Sequence, residues 1–230
     1  MVNTPDFVFV HLNKSGGTFV NTVLRELYGE EAQTVGYHLP YRYTPDSHKN
    51  LPVLGVVRNP WDYYVSLYHF QKQSRKTNFL FDVFSENGRL NFSKTLQNML
   101  APKDKHFDEM FEVAPINFQS FGANLTKSCI GELSSMQGGW YTRLYQRLYR
   151  ESEPHMLRQE RLRNDLHDFL YSNVSNNFDE TRLERIFTMP NMNVSRHSHY
   201  SSYYTPETVD FVSQQDAMIV NKYQYRYEES

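Results

Sequence analysis

The sequence predicts an α/β domain with a central parallel sheet flanked by helices. Two observations carry this prediction. Residues 7–10 form an apolar, strand-like run that leads through a glycine loop into a helical pattern, and residues 51–73 repeat the order strand, turn, helix. Consecutive units of this kind align their strands in one direction and bring ligands to the carboxyl ends of those strands.

The first unit begins with Phe-Val-Phe-Val at residues 7–10, which is typical of a strand buried on both faces of a sheet. The helix that follows is predicted over residues 19–28. Its apolar side chains share one stripe, formed by Val20, Val23, Leu24 and Leu27. Gly29 is expected to end this helix, because glycine readily adopts the conformation found at helix carboxyl ends.

The second unit begins with a buried strand over residues 51–57, which contains Pro52 near its start and Gly55 further on. Residues 58–61 form the turn. Pro60 suits the first position of a helix, and Asp62 suits its positive amino-terminal end. A mostly apolar helix face then extends to residue 73.

The remaining sequence indicates further elements but no repeat, linker or domain break. A closing helix is expected from Thr205 as its N-cap and Pro206 as its first residue to about Tyr223. We therefore predict a single domain over residues 1–230. The other predicted elements are helices over 92–100 and 140–149, a strand over 156–162, a helix over 163–171 and a polar loop over 173–177.

Composition narrows the class of protein. The 230 residues are 39% hydrophobic and carry a net charge of −2, which favours a globular domain over a disordered chain and argues against nucleic-acid binding. Cys129 is the single cysteine, so no disulfide forms within the chain. We find neither a signal peptide nor an apolar run of the roughly 20 residues that span a bilayer. A cytoplasmic protein without membrane insertion is expected, and its oligomeric state is left open.

The loop at residues 11–18, His-Leu-Asn-Lys-Ser-Gly-Gly-Thr, joins the first strand to the first helix. Such a loop directs several backbone N–H groups and the helix dipole at one point, where phosphate-like anions bind. Lys14 adds a charge, and Ser15 and Thr18 add hydroxyl groups. The loop is not a Walker A motif, because Lys14 precedes both glycines. An ordinary turn between strand and helix is the alternative.

Arg58 follows the second strand, and Ser66 lies eight residues further on, inside the next helix. Arginine can bind a phosphate with two parallel hydrogen bonds, and a serine hydroxyl can add a third. A surface arginine and an unrelated helical serine are the alternative interpretation.

Together the two motifs resemble the phosphosulfate-binding signatures of sulfotransferases that use 3′-phosphoadenosine 5′-phosphosulfate (PAPS). The resemblance is strongest to the branch with heparan-sulfate and other carbohydrate sulfotransferases and many bacterial relatives. Asn13 stands where that branch usually has proline. Looser similarities cover residues 193–207 and Glu160-Arg-Leu162.

This resemblance implies a P-loop-like fold that binds PAPS, releases PAP (3′-phosphoadenosine 5′-phosphate) and needs no metal. Lys14 is expected at the oxygen that bridges sulfate and 5′-phosphate, while Arg58 and Ser66 are expected to hold the 3′-phosphate. The full predicted cofactor-binding set is Asn13, Lys14, Ser15, Gly16, Gly17, Thr18, Phe19, Arg58, Ser66 and Arg196.

A general base for the acceptor hydroxyl is expected between the two motifs, where related carbohydrate enzymes place His or Glu. His38 is the candidate, because histidine titrates nearest neutrality. A merely hydrogen-bonded or surface role for His38 is the alternative, with Glu30 and Glu31 as replacement bases. His48 shares the interval but should point away, and His11 is either structural or in contact with the cofactor.

The acceptor is not readable from the sequence. By family analogy we expect the acceptor to be a carbohydrate, and a small alcohol, a phenol or a lipid is the alternative. The competing hypotheses are a P-loop nucleotide kinase and a non-catalytic protein that binds PAP or PAPS. The first would need a Gly-Lys-Ser/Thr loop and a Mg²⁺-binding Asp, neither of which is visible.

Overall fold

A computed structural model describes residues 1–74, 77–118, 124–174, 178–192 and 194–228. The chain divides into two compact units. The first comprises Met1–Arg58, Gln119–Gly122 and Leu148–Val194, and the second Asn59–Phe118, Ala123–Arg147 and Ser195–Ser230. No helix among the described residues is long and apolar enough to cross a membrane.

The first unit contains a five-stranded sheet in the order β3-β1-β2-β4-β5. Strands β2, β4 and β5 are parallel, whereas β1 runs antiparallel to both of its neighbours. The strands are β1 (Val2–Asn3), β2 (Val8–Phe9), β3 (Gln33–Thr34), β4 (Val53–Val57) and β5 (His155–Arg158).

The predicted α/β class is confirmed, and the sheet proves to be mixed rather than wholly parallel. The reason is the short link between β1 and β2. The Thr4 and Phe7 backbones bond across it at 3.0 Å, and the Thr4 hydroxyl donates to the Phe7 carbonyl at 2.9 Å. A connection this short can join only antiparallel neighbours, whereas parallel strands need a long crossover.

Three helices of the first unit pack in the core with the sheet, and the first of them does so with the apolar stripe predicted for it. Val20 and Leu24 of the first helix and Leu166 of a later one are buried in one core with strand residues such as Phe9 and Leu54. These helices are α1 (Gly17–Tyr28), α8 (Leu162–Val174) and α9 (Glu180–Thr188).

Two of the differences between predicted and observed boundaries have a clear local cause. Helix α1 starts at Gly17, because Gly16 in a left-handed conformation already serves as its N-cap. The strand predicted over 156–162 ends at Arg158, where the backbone N–H donates to the Asp165 carboxylate at 2.8 Å and a short 3₁₀ turn follows. Residues 175–177 of the predicted polar loop lie outside the described residues.

The described part of the second unit is helical. Its helices are α2 (Pro60–Gln73), α3 (Phe79–Ser85), α4 (Phe92–Leu100), α5 (Asp104–Val113), α6 (Lys127–Ser135), most of α7 (Trp140–Tyr149), α10 (Pro206–Gln215) and α11 (Ala217–Tyr223). Helices α2, α4 and α7 match their predictions closely. The single closing helix predicted from Pro206 is instead two helices that meet at Asp216.

Asp216 lies at this break because its carboxylate is fully buried and binds other elements. One oxygen accepts from the Tyr64 hydroxyl at 2.7 Å and the other from the Thr142 backbone N–H at 3.0 Å. The Tyr64 oxygen in turn accepts from the Tyr141 N–H at 3.2 Å. Burial raises the pKa of the Asp216 carboxyl, so these hydrogen bonds are what offset its desolvation.

We expect Tyr64→Phe to lower the free energy of unfolding by about 1–3 kcal/mol, because it removes two buried hydrogen bonds, one to the Asp216 carboxylate and one from the Tyr141 N–H. Urea unfolding would measure the loss. Tyr171→Phe is the matched control, since Tyr171 is exposed and should change stability by less than about 0.5 kcal/mol. Equal stability of the two variants would show that the Asp216 cluster contributes nothing.

Candidate active site

The loop that follows β2 has the shape of an anion site. Lys14 and Gly16 both have positive φ angles, 56° and 85°, so the chain reverses tightly before α1 begins at Gly17. Positive φ is costly for lysine, and such strain concentrates at functional sites.

The backbone donors of this loop lie at the amino-terminal end of α1. The N–H groups of Ser15, Gly16 and Gly17 follow one another through the turn that leads into the helix. The Ser15 side chain is buried, and its hydroxyl lies 3.4 Å from the Asn13 carbonyl oxygen. Three consecutive donors at the positive end of a helix form a site for an anion.

Both glycines of the loop are required by packing as well as by backbone conformation. A Cβ on Gly16 would lie 2.6 Å from Cδ2 of Leu162. A Cβ on Gly17 would lie 1.9 Å from Cδ2 of the His11 ring. Gly17 is thus the point at which a buried imidazole rests directly on the loop backbone.

Two cations meet at the loop. Arg58 donates from Nη1 to the Lys14 carbonyl oxygen at 2.9 Å, so it holds the loop backbone in place. Burial, together with the neighbouring charge of Arg58, lowers the pKa of the Lys14 ammonium to about 8. A bound anion would relieve the repulsion between these two side chains.

His38 lies next to His11. The Nδ1 atom of His38 is 2.9 Å from the His11 carbonyl oxygen, and the two ring centroids are 4.4 Å apart. A carbonyl only accepts hydrogen bonds, so Nδ1 of His38 carries the hydrogen and Nε2 of the neutral ring is left as the basic atom. The residue holds a positive φ of 56° in this position.

His11 is the less suitable base of the pair. Its side chain is buried, and burial, followed by the neighbouring charge of His38, holds the pKa of its ring well below the usual range. A neutral, enclosed imidazole cannot take up an acceptor proton. The part-buried His38 is therefore the better candidate.

The other candidates of the interval lie elsewhere in the chain. His48 contacts its neighbour Ser47, with Nδ1 2.8 Å from the hydroxyl oxygen. Glu30 and Glu31 form an exposed 3₁₀ turn after α1. None of these contacts involves His38 or the anion loop.

In the second unit, Ser66 of α2 is buried and its hydroxyl lies 3.2 Å from that of Ser195. The Arg196 N–H donates to Gln73 Oε1 at 3.0 Å, and Gln73 donates back to the Arg196 carbonyl at 2.5 Å. The side chain of Arg196 is exposed. Ser195 and Gln73 were not singled out from the sequence, and Asn193, which begins the motif, lies outside the described residues.

The sequence profile described as sulfotransferase domain matches residues 29–171, more than half of the chain. The chain belongs to the sulfotransferase family. The predicted family and enzyme class are thereby confirmed. The match includes His38, Arg58 and Ser66, whereas the anion loop precedes it.

A solved structure supports the same fold. The mouse sulfotransferase SULT7A1, crystallised with PAP, superposes with a TM-score of 0.53 at 11% sequence identity, over 95% of this chain and 88% of that one. Comparison with curated proteins by sequence finds no significant match. Among the described residues, no three His, Cys, Asp or Glu side chains cluster as metal ligands do, and the expectation of metal-free chemistry stays a prediction.

The lowered pKa of Lys14 has a consequence for stability. Between about pH 8 and its unfolded value of 10.5, the unfolded chain holds a proton on Lys14 that the folded chain has released. Raising the pH through this window therefore stabilises the fold, and the cost is fully present below pH 8.

We expect Lys14→Met to remove this component of the pH dependence and to be more stable than the wild type at pH 7. Thermal unfolding of both proteins from pH 7 to 10.5 would measure it, with Lys105→Met at an exposed position of α5 as the control. Parallel curves for wild type and Lys14→Met would contradict the assigned shift.

Proposed function

We propose that this sulfotransferase moves the sulfuryl group of PAPS to a hydroxyl of a carbohydrate and releases PAP. One observation carries the proposal: Gly17 of the anion loop and the candidate base His38 both contact the same residue, His11. An anion site and a base held this close suit transfer of an anionic group to a hydroxyl.

The donor assignments follow from the loop and from the family resemblance. The N–H groups of Ser15, Gly16 and Gly17 bind the 5′-phosphosulfate, with flanking contacts from Asn13, Thr18 and Phe19. Lys14 stabilises the charge that develops on the leaving phosphate. Arg58, Ser66 and Arg196 are proposed for the 3′-phosphate, and Arg58 also braces Lys14 through its backbone carbonyl.

The reaction is an in-line displacement at sulfur. The acceptor oxygen forms a bond to sulfur while the bond between sulfur and the bridging oxygen breaks, and its electron pair leaves with PAP. Nε2 of His38 takes the proton of the acceptor hydroxyl. The hydrogen bond from Nδ1 to the His11 carbonyl then stabilises the resulting imidazolium.

A carbohydrate acceptor is supported by the resemblance and by a cavity with many polar groups in its lining. In the second unit, a cavity of about 460 Å³ has walls of hydroxyl, tyrosine and carboxylate groups. Neither lysine nor arginine is among its described lining residues, which suits a neutral sugar better than an acidic one. Its polar lining includes Ser201, Ser202, Tyr204, Thr205, Asp210 and Tyr227.

We expect PAP to raise the unfolding temperature more than AMP or ATP at equal concentration, because only PAP carries both phosphates for which residues are assigned. Arg58→Ala should weaken PAP binding about ten- to a hundredfold, as loss of one charge-assisted contact to a phosphate does. Equal shifts for PAP and AMP would rule out the 3′-phosphate assignment.

The same protein should release PAP from PAPS only when an acceptor is added, which separates an enzyme from a non-catalytic binder. A panel of cellobiose, a uronic-acid disaccharide, p-nitrophenol and hexanol distinguishes the acceptor classes. Sulfation of p-nitrophenol or hexanol without either disaccharide would overturn the carbohydrate assignment.

His38→Ala should keep PAP affinity and stability while turnover falls by roughly 10²–10⁴-fold, the usual contribution of a general base. His48→Ala is the matched control, because His48 lies in the same interval yet contacts Ser47 instead. The two variants would be compared in kcat and in PAP titration. Near-normal turnover in His38→Ala would remove this residue from the mechanism and direct the search to Glu30 and Glu31.

A further inference from the structure

The His11 ring contacts both the anion loop and His38. It rests on the backbone of Gly17, where even a methyl group would come within 1.9–2.6 Å of three ring atoms. Its centroid is also 4.4 Å from that of His38. The same residue also supplies the carbonyl oxygen that contacts Nδ1 of His38.

The Nδ1 atom of the His11 ring does not explain this placement. It is buried and has no hydrogen-bond partner among the described residues. Phe9 stacks against the ring at 6.0 Å and Tyr37 meets it edge-on at 5.6 Å. The contribution of the imidazole is therefore the packing of its planar ring, which aromatic side chains surround.

We propose that His11 is a positioning residue that couples the anion loop to the base. Its ring transmits the position of the Gly17 backbone to the ring of His38, while its carbonyl fixes the tautomer that leaves Nε2 of His38 basic. This inference rests on the proposed function for the role of His38. It assigns to His11 no contact with donor or acceptor.

The contact between the His11 ring and the Gly17 backbone is tested without any assay of turnover. Gly17→Ala forces a methyl group into the His11 ring and should lower the unfolding temperature by several degrees. His11→Ala removes the ring, so Gly17→Ala should cost much less in that background. Thermal unfolding of both single variants and the double variant measures this coupling. Strict additivity would overturn the contact.

The effect of His11 on His38 needs a measurement that loss of packing alone would not change. Nitrogen NMR of His38 in the PAP-bound protein reports its tautomer and its titration. We expect His11→Ala to broaden or shift the His38 signals and to lower kcat about ten- to a hundredfold, with the KM for PAPS changed less than threefold, because misplacement of a catalytic group by about 1 Å costs this much. The acceptor is whichever panel member is sulfated.

His11→Phe keeps a flat ring without nitrogen atoms and should retain kcat within about fivefold, whereas His11→Leu keeps bulk without the plane and should behave like His11→Ala. His11→Leu replaces His11→Ala if that variant does not fold. Loss of activity in the Phe variant equal to that in the Ala variant would show that the nitrogens act, and would overturn the proposal.

Absence of PAPS turnover in the wild type would instead contradict the proposed function, leaving the unfolding cycle as an independent test of the packing. His48→Ala again serves as the control for both measurements.

Discussion

Contact between the His11 ring and the Gly17 backbone is the constraint on which the first unit's site depends. It requires glycine at position 17, because any side chain would enter the ring. It also keeps the start of α1 close to the end of β2, so the helix dipole and the loop N–H groups converge on one point. The same ring lies 4.4 Å, centroid to centroid, from the ring of His38.

Electrostatics add to this geometry. The chain has a net charge of −2, so overall charge does not draw an anionic donor. Lys14 and Arg58 lie side by side at the loop instead, and burial with the Arg58 charge lowers the pKa of Lys14 to about 8. The two neighbouring positive charges thus destabilise the folded state locally. An anionic ligand can offset this destabilisation, as is common at binding sites. Backbone strain at Lys14 and His38 is a second cost of the same kind.

The sequence was sufficient wherever local pattern decides structure. The β2–loop–α1 and β4–α2 units, α4 and α7 carry clear apolar periodicity, and all were predicted. Helices α3, α5, α6 and α9 were missed. In α9 the buried face is narrow, because only Leu183 and Ile186 are buried within a charged segment. The two-residue strands β1 and β3 depend on pairing across the chain, which no local pattern shows. For the same reason, neither the bond from His38 to the His11 carbonyl nor the pairing of Ser66 with Ser195 was visible beforehand.

The roles proposed for the two histidines differ because their burial differs, although the residue type is the same. A base must gain a proton during the reaction, and an enclosed imidazole pays the full desolvation of that charge. His11 is enclosed by Phe9, Tyr37 and the loop, and the charge of His38 lowers the pKa of its ring further. His38 is less buried and already has a carbonyl acceptor for the hydrogen on Nδ1, so protonation at Nε2 strengthens an existing hydrogen bond instead of creating an uncompensated charge. The two neighbouring histidines thus differ in burial, which supports the different roles proposed for them: base for His38 and positioning residue for His11.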